Sequence, residues 1–123
     1  MKSATKILFV EDDPEMRAVY QENFPEPEFE STIASNGHDA LERFHQGECF
    51  DVVVTDNYMP QMNGITMLKT INKEFPGTKV ILITGYGNWE DYVDAYNAGV
   101  LRFLDKPVKM GELKKLIKNL VES

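Results

Sequence analysis

The sequence predicts an α/β domain: a doubly wound sheet of five parallel strands in the order 2-1-3-4-5, covered by five helices. Three observations lead there. Short apolar segments alternate with amphipathic ones along the 123 residues, the pattern of strand–helix–strand units. Three of the apolar segments, Ile7-Leu8-Phe9-Val10, Val52-Val53-Val54 and Val80-Ile81-Leu82-Ile83, are unbroken runs suited to strands buried on both faces. The other two, Phe29 to Ala34 and Val100 to Leu104, carry polar side chains and belong at the edges. Right-handed crossovers then put every strand's carboxyl end on one rim.

In chain order, the first strand ends at Glu11-Asp12-Asp13-Pro14, where Asp13 suits an N-cap and Pro14 the first helical position. A helix follows from Pro14 to about Phe24, with Met16, Val19, Tyr20 and Phe24 on its inner face, until Pro25 and Pro27 end it. After the polar second strand, Asn36-Gly37 reads as a turn, and Ala40, Leu41 and Phe44 form the inner face of a helix closed by Gly47. The third strand stops at Asp56, and a loop leads to a helix from about Gly64 to Phe75, with Ile65, Leu68, Ile71 and Phe75 as its stripe. The fourth strand ends at Thr84-Gly85. The fourth helix, roughly Asn88 to Ala98, carries Trp89, Tyr92, Val93 and Tyr96 and is capped by Gly99. The fifth strand ends at Asp105-Lys106-Pro107, and the last helix, about Met110 to Val121, shows Leu113, Leu116, Ile117 and Leu120 at helical spacing.

Length and composition fit one domain over residues 1–123, with no linker or repeat. A net charge of −7 argues against nucleic acid and anionic membrane as direct partners. The single cysteine, Cys49, permits no internal disulfide, and no apolar run reaches membrane-spanning length or resembles a signal peptide. A cytoplasmic location is expected.

The topology places Glu11, Asp12, Asp56, Thr84 and Lys106 on the same rim. A carboxylate at the end of a buried central strand is costly unless solvated, paired or metal-bound. Three acids together repel and call for a cation. Oxygen ligands without histidine or thiol favour Mg²⁺. Asp56 then suits a nucleophile that forms an acyl phosphate, with Lys106 as a point charge and Thr84 as a hydroxyl donor for the phosphoryl oxygens. Elsewhere Asp13 reads as a cap, His38 and His45 as surface residues, Cys49 as a partly buried loop residue, Trp89 as half-buried packing ahead of a partner contact, and Met59 and Met62 as either loop packing or partner contacts.

Over essentially its whole length the chain resembles the response-regulator receiver domains of two-component systems, the CheY-like family, whose fold is flavodoxin-like. The motifs that carry the resemblance are Val10-Glu11-Asp12-Asp13-Pro14, Asp56, Met59-Pro60-Gln61-Met62-Asn63-Gly64, Thr84, Phe103 and Lys106-Pro107. The resemblance implies Asp56 as phosphoacceptor and Asp12 as direct Mg²⁺ ligand. Glu11 would act on the metal through water and Tyr58 through its backbone carbonyl. It further implies Thr84 and Phe103 as the switch pair, Lys106 as the catalytic lysine, and a cis peptide between Lys106 and Pro107. Tyr58 and Tyr86 would flank the path of the hydrolytic water. Asn57, Tyr58 and Asn63 depart from the usual residues, and Phe103 lacks the hydroxyl of the commoner tyrosine. None of these removes a catalytic group.

The implied function is a phosphorylation switch rather than an enzyme acting on other substrates. A sensor histidine kinase or histidine phosphotransfer protein donates the phosphoryl group, and the domain catalyses only its own labelling and hydrolysis. A protein target, or an output domain beyond Ser123, reads the change, and a phosphorylation-dependent dimer is a further expectation. The alternative is a pseudo-receiver, an interaction module that needs no phosphorylation. A haloacid-dehalogenase-type phosphatase would need Asp-x-Asp after the first strand, where this chain has Glu11-Asp12-Asp13. A flavodoxin would need a hydroxyl-rich phosphate loop there.

Overall fold

The computed structural model describes residues 4–59, 62–85 and 89–122, without the side chain of Trp89. The expectations placed on Pro60, Gln61, Tyr86, Asn88 and the Trp89 side chain lie outside the described residues.

Ten elements alternate: β1 (Thr5–Val10), α1 (Pro14–Asn23), β2 (Phe29–Ala34), α2 (Gly37–His45), β3 (Val52–Asp56), α3 (Gly64–Glu74), β4 (Lys79–Thr84), α4 (Trp89–Asn97), β5 (Arg102–Asp105) and α5 (Met110–Glu122). The sheet order is β2-β1-β3-β4-β5, and every neighbouring pair is parallel. The predicted order is therefore the observed one. Its cause is visible in burial: β3 is buried along its whole length, whereas β5 is half-buried or exposed at each position.

Alternation within the central strands builds two apolar layers. Ile7, Phe9, Val52, Val54, Ile81 and Ile83 face α1 and α5, where Tyr20, Phe24, Leu113 and Ile117 complete the layer. Leu8, Val10, Val53 and Val80 face the other side, against Ala40, Leu41 and Phe44 of α2 and Met67, Leu68 and Ile71 of α3. Met59 and Met62 pack against this second layer, as loop packing.

Two local readings change. Asn36 is not in a free turn: its side chain accepts the Asp39 N–H at 2.8 Å and caps α2, so Gly37 is helical. Cys49 is exposed rather than partly buried, because the stretch between Gly47 and β3 runs over the surface. Gly47 and Gly99 do close their helices, each at φ +92°.

Candidate functional site

β1 and β3 are hydrogen-bonded neighbours, with Val10 opposite Thr55. The next residue on each side is an acid, so Glu11 and Asp56 leave the sheet side by side. On the far side of β3, Asp56 pairs with Ile83, and Thr84 pairs with Asp105. Thr84 and Lys106 thus follow on adjacent strands. The strand order reverses between β1 and β3, the place where open α/β sheets bind their ligands.

Asp56 is only 8% exposed. Its Oδ2 accepts from Lys106 Nζ at 2.5 Å, and its Oδ1 accepts from the Tyr58 backbone N–H at 3.1 Å. The buried carboxylate thus has a charged donor on one oxygen and an amide on the other. The Lys106 backbone N–H donates to the Thr84 carbonyl at 3.0 Å, which fixes the lysine's strand end to β4. Burial opposes the Lys106 charge, but the bond to Asp56 and the fields of Asp56, Glu11 and Asp12 outweigh it and raise the ammonium pKa. The Lys106–Pro107 peptide bond is cis.

Glu11 is 3% exposed and accepts the Asp13 N–H at 3.2 Å. Burial, with the Asp56 charge and a hydrogen bond to Asp12 adding to it, pushes its carboxyl up to about 7, against the Asp13 amide and Lys106. Asp12 itself is exposed. Asp13 is a cap, its Oδ1 accepting the Glu15 N–H at 3.0 Å. Beneath the acids the Tyr20 ring stacks on Phe9 with centroids 4.3 Å apart. Burial and the Glu11 and Asp56 charges raise the Tyr20 hydroxyl pKa.

Thr84 is fully buried at the end of β4. Phe103 is half-buried on β5, and its ring lies 4.1 Å from that of Tyr92 on α4. The structure therefore joins Asp56 directly to Lys106 and Tyr58, joins Lys106 to Thr84 through the backbone, and leaves Phe103 on the α4 side.

Two residues that sequence reasoning did not place also belong to this rim. Asn57, read only as an unusual neighbour of Asp56, is 3% exposed, and its Oδ1 accepts the Ile65 N–H at 3.1 Å. It holds the start of α3 against the end of β3. Asp91 on α4 accepts the Tyr58 hydroxyl at 2.7 Å. The first bond closes the loop between β3 and α3, the second links residues 33 apart, and no residue pattern in the sequence announces either.

Among the described residues no group of three or more His, Cys, Asp or Glu is arranged to hold a metal ion. The donor chemistry nevertheless suits Mg²⁺, which binds through one or two carboxylates and keeps several waters. The acids Glu11, Asp12 and Asp56 are hard oxygen donors opposed by the ammonium of Lys106. Burial, the leading cause of the raised Glu11 pKa, makes its negative charge costly there.

A five-stranded parallel sheet whose strand ends gather acids, a hydroxyl and a lysine at the reversal of strand order defines a ligand-binding α/β domain. A model of the response regulator receiver domain matches residues 7–118, and the chain belongs to that family. It is 32% identical over 115 residues to the response regulator protein PilR of Pseudomonas aeruginosa, covering 94% of this chain and 26% of PilR. It is 33% identical over 122 residues to the regulatory protein AtoC of Escherichia coli, covering 99% of this chain and 26% of AtoC. The chain thus spans about a quarter of the length of these relatives. Among solved structures, a CheY-like response regulator receiver domain protein from Methanospirillum hungatei superposes with a TM-score of 0.92 at 30% identity, covering 98% of this chain and 95% of that one. Among the described residues, no helix is long and apolar enough to cross a membrane.

Proposed function

We propose that this receiver domain is a cytoplasmic phosphoacceptor switch in a two-component or phosphorelay pathway, and that Asp56 takes the phosphoryl group. The observation that carries the reading is the buried Asp56 carboxylate with Lys106 Nζ at 2.5 Å. A lysine so placed follows the added charge: it neutralises the carboxylate first and the phosphoryl oxygens afterwards.

The donor is a phosphohistidine of a sensor histidine kinase or a histidine phosphotransfer protein. An Asp56 carboxylate oxygen attacks phosphorus, the P–N bond breaks, and the electron pair stays on the imidazole nitrogen. Asp12 directly, Glu11 through water, the Asp56 carboxylate and the Tyr58 backbone carbonyl would hold Mg²⁺. When bound, that ion supplies charge neutralisation for the phosphoryl oxygens. Thr84 donates its hydroxyl to the phosphoryl group, and Phe103 responds by repacking between β4 and α4. The face formed by α4, β5 and α5 changes shape with them and is read by a protein target, an attached output domain or a second copy of the domain. The domain catalyses no other reaction than its own labelling and dephosphorylation.

Asp56→Asn keeps the size of the side chain but cannot form an acyl phosphate. Incubation with acetyl phosphate and Mg²⁺ is expected to add one phosphoryl mass to wild type, mapped to Asp56, and none to the variant. Labelling of Asp56→Asn at another residue would refute the assignment, and an unlabelled wild type would favour a pseudo-receiver.

A further inference from the structure

Tyr92 of α4 touches β5 at two places. Its ring lies 4.1 Å from that of Phe103, centroid to centroid, at an interplanar angle of 36°. Its hydroxyl lies 2.9 Å from both carboxylate oxygens of Asp105. Phe103 and Asp105 are alternate residues of β5 and share the face of the strand that looks toward α4. On that face Phe103 packs against the cluster of Ile65, Leu82 and Ala95. One side chain therefore joins the helix to the strand and covers the Phe103 ring. It acts on a weakly held element, since β5 is a four-residue strand at the edge of the sheet, paired to β4. The bond to Asp105 is the leading cause that raises the Tyr92 hydroxyl pKa, so the hydroxyl stays protonated and donating at neutral pH. Asp105 in turn pairs with Thr84 and precedes Lys106, whose ammonium holds Asp56.

We propose that the Tyr92–Asp105 bond is a strap that restrains the switch: it holds α4 on β5 with Phe103 covered, and so opposes the rearrangement that follows charge added at Asp56. The inference rests on the phosphoacceptor reading of Asp56 and on the repacking of Phe103. The two rings are in contact, so Phe103 cannot repack without disturbing Tyr92, and a ring pinned at its hydroxyl resists being moved. The arrangement with the strap closed and Asp56 bonded to Lys106 is thus favoured over the switched one by the energy of that bond. Linkage makes the restraint reciprocal: whatever disfavours the switched arrangement weakens binding of a phosphoryl analogue at Asp56 by the same factor. Where the switched arrangement is the minor one, apparent affinity follows its population. Loss of the strap on β5 therefore tightens binding at the end of β3.

The experiment measures the affinity of trifluoroberyllate, a phosphoryl analogue whose beryllium takes a carboxylate oxygen as its fourth ligand, by calorimetric titration in Mg²⁺. Wild type is compared with Tyr92→Phe, Asp105→Ala, Asp105→Asn and the double variant of Tyr92→Phe with Asp105→Ala. Tyr92→Phe keeps the ring and loses the bond, and its dissociation constant is expected to fall about three- to tenfold, the range of one lost hydrogen bond. Asp105→Ala is expected to fall at least as far, and the double variant no further than Asp105→Ala. Asp105→Asn loses the same negative charge as Asp105→Ala but keeps an acceptor oxygen, and its constant is expected to stay near that of wild type. A variant damaged in its fold would bind more weakly, so tightening separates the strap from a merely structural contact. Unchanged or weaker binding by Tyr92→Phe overturns the inference, as does an additive effect in the double variant. Equal tightening in Asp105→Asn and Asp105→Ala also overturns it, since the lost charge would then be the cause. A wild type that does not bind the analogue overturns the phosphoacceptor reading and this inference together; a wild type that binds it no more weakly than Tyr92→Phe overturns the inference alone.

Discussion

The fold resists the charge of Glu11. Its carboxyl titrates at about 7 in the fold against 4.5 for an unperturbed glutamate, with burial the leading cause. The sign follows from linkage. A raised folded pKa means that the folded state holds the proton more tightly than the unfolded chain. The contribution to stability is complete below 4.5 and is lost as pH rises through 7. The loss is about 3 kcal/mol in metal-free protein. Glu11→Gln has no carboxyl to ionise and fills nearly the same space. In chelator, wild type is therefore expected to lose stability relative to Glu11→Gln between pH 5 and pH 8, measured by urea unfolding. Parallel pH profiles for the two proteins would show that Glu11 ionises in the fold as freely as in water. Sequence reasoning identified Glu11 as an acid of the rim. The burial that shifts it depends on Tyr20 and Phe9 beneath, and on Asp56 on the next strand, which only the assembled sheet brings near.

At the scale of elements, the start of α3 decides how Asp56 is presented. The Gly64 N–H donates to the Asn57 carbonyl at 3.0 Å, and the Asn57 side chain accepts from Ile65. A Cβ on Gly64 would stand 2.6 Å from the Asp56 carbonyl oxygen and 2.7 Å from Leu82 Cδ1. Neither neighbour yields easily, one being backbone and the other a packed core side chain. Gly64→Ala is thus expected to destabilise the domain by about 1–3 kcal/mol, the usual penalty of overpacking, and to slow labelling of Asp56 because α3 must shift. A variant with wild-type unfolding and labelling would show that the junction has slack. The elements themselves were largely legible: unbroken Val and Ile runs located the central strands, polar interruptions located the edges, and Asp13 and Gly99 marked helix ends. Gly64 was legible as the start of a helix and as a motif residue, although its demand is for space. Asn36 looked like a turn residue because capping and turning use the same side-chain chemistry. Asp91 was illegible because its partner Tyr58 is brought near only by the fold, and Asn57 because nothing in the sequence marks its side chain as the acceptor for the Ile65 N–H.

Across the whole molecule, the parallel arrangement sends all five strand ends to one rim, and that topology concentrates charge there. Two apolar layers hold the sheet from both faces, so the rim cannot relax its repulsion by spreading the strands apart. Glu11, Asp12 and Asp56 face the ammonium of Lys106, within a chain whose net charge is already −7. A ligand that neutralises the rim and binds only the folded protein must stabilise the whole fold. At a free Mg²⁺ concentration about a hundredfold above its dissociation constant, the gain is about 2.7 kcal/mol. For a domain of this size that corresponds to a rise in melting temperature on the order of 10 °C. The increment is expected to vanish in Asp12→Ala, because the exposed carboxylate of Asp12 is proposed as the direct ligand and no other side chain of the rim replaces it. It should also be smaller below pH 6 than at pH 8, since a protonated Glu11 leaves less negative charge to neutralise. Thermal melts in Mg²⁺ and in chelator at both pH values test this. Equal melting temperatures with and without the ion, or a full increment in Asp12→Ala, would remove Mg²⁺ from the rim and leave Lys106 as the counter-charge to be considered there.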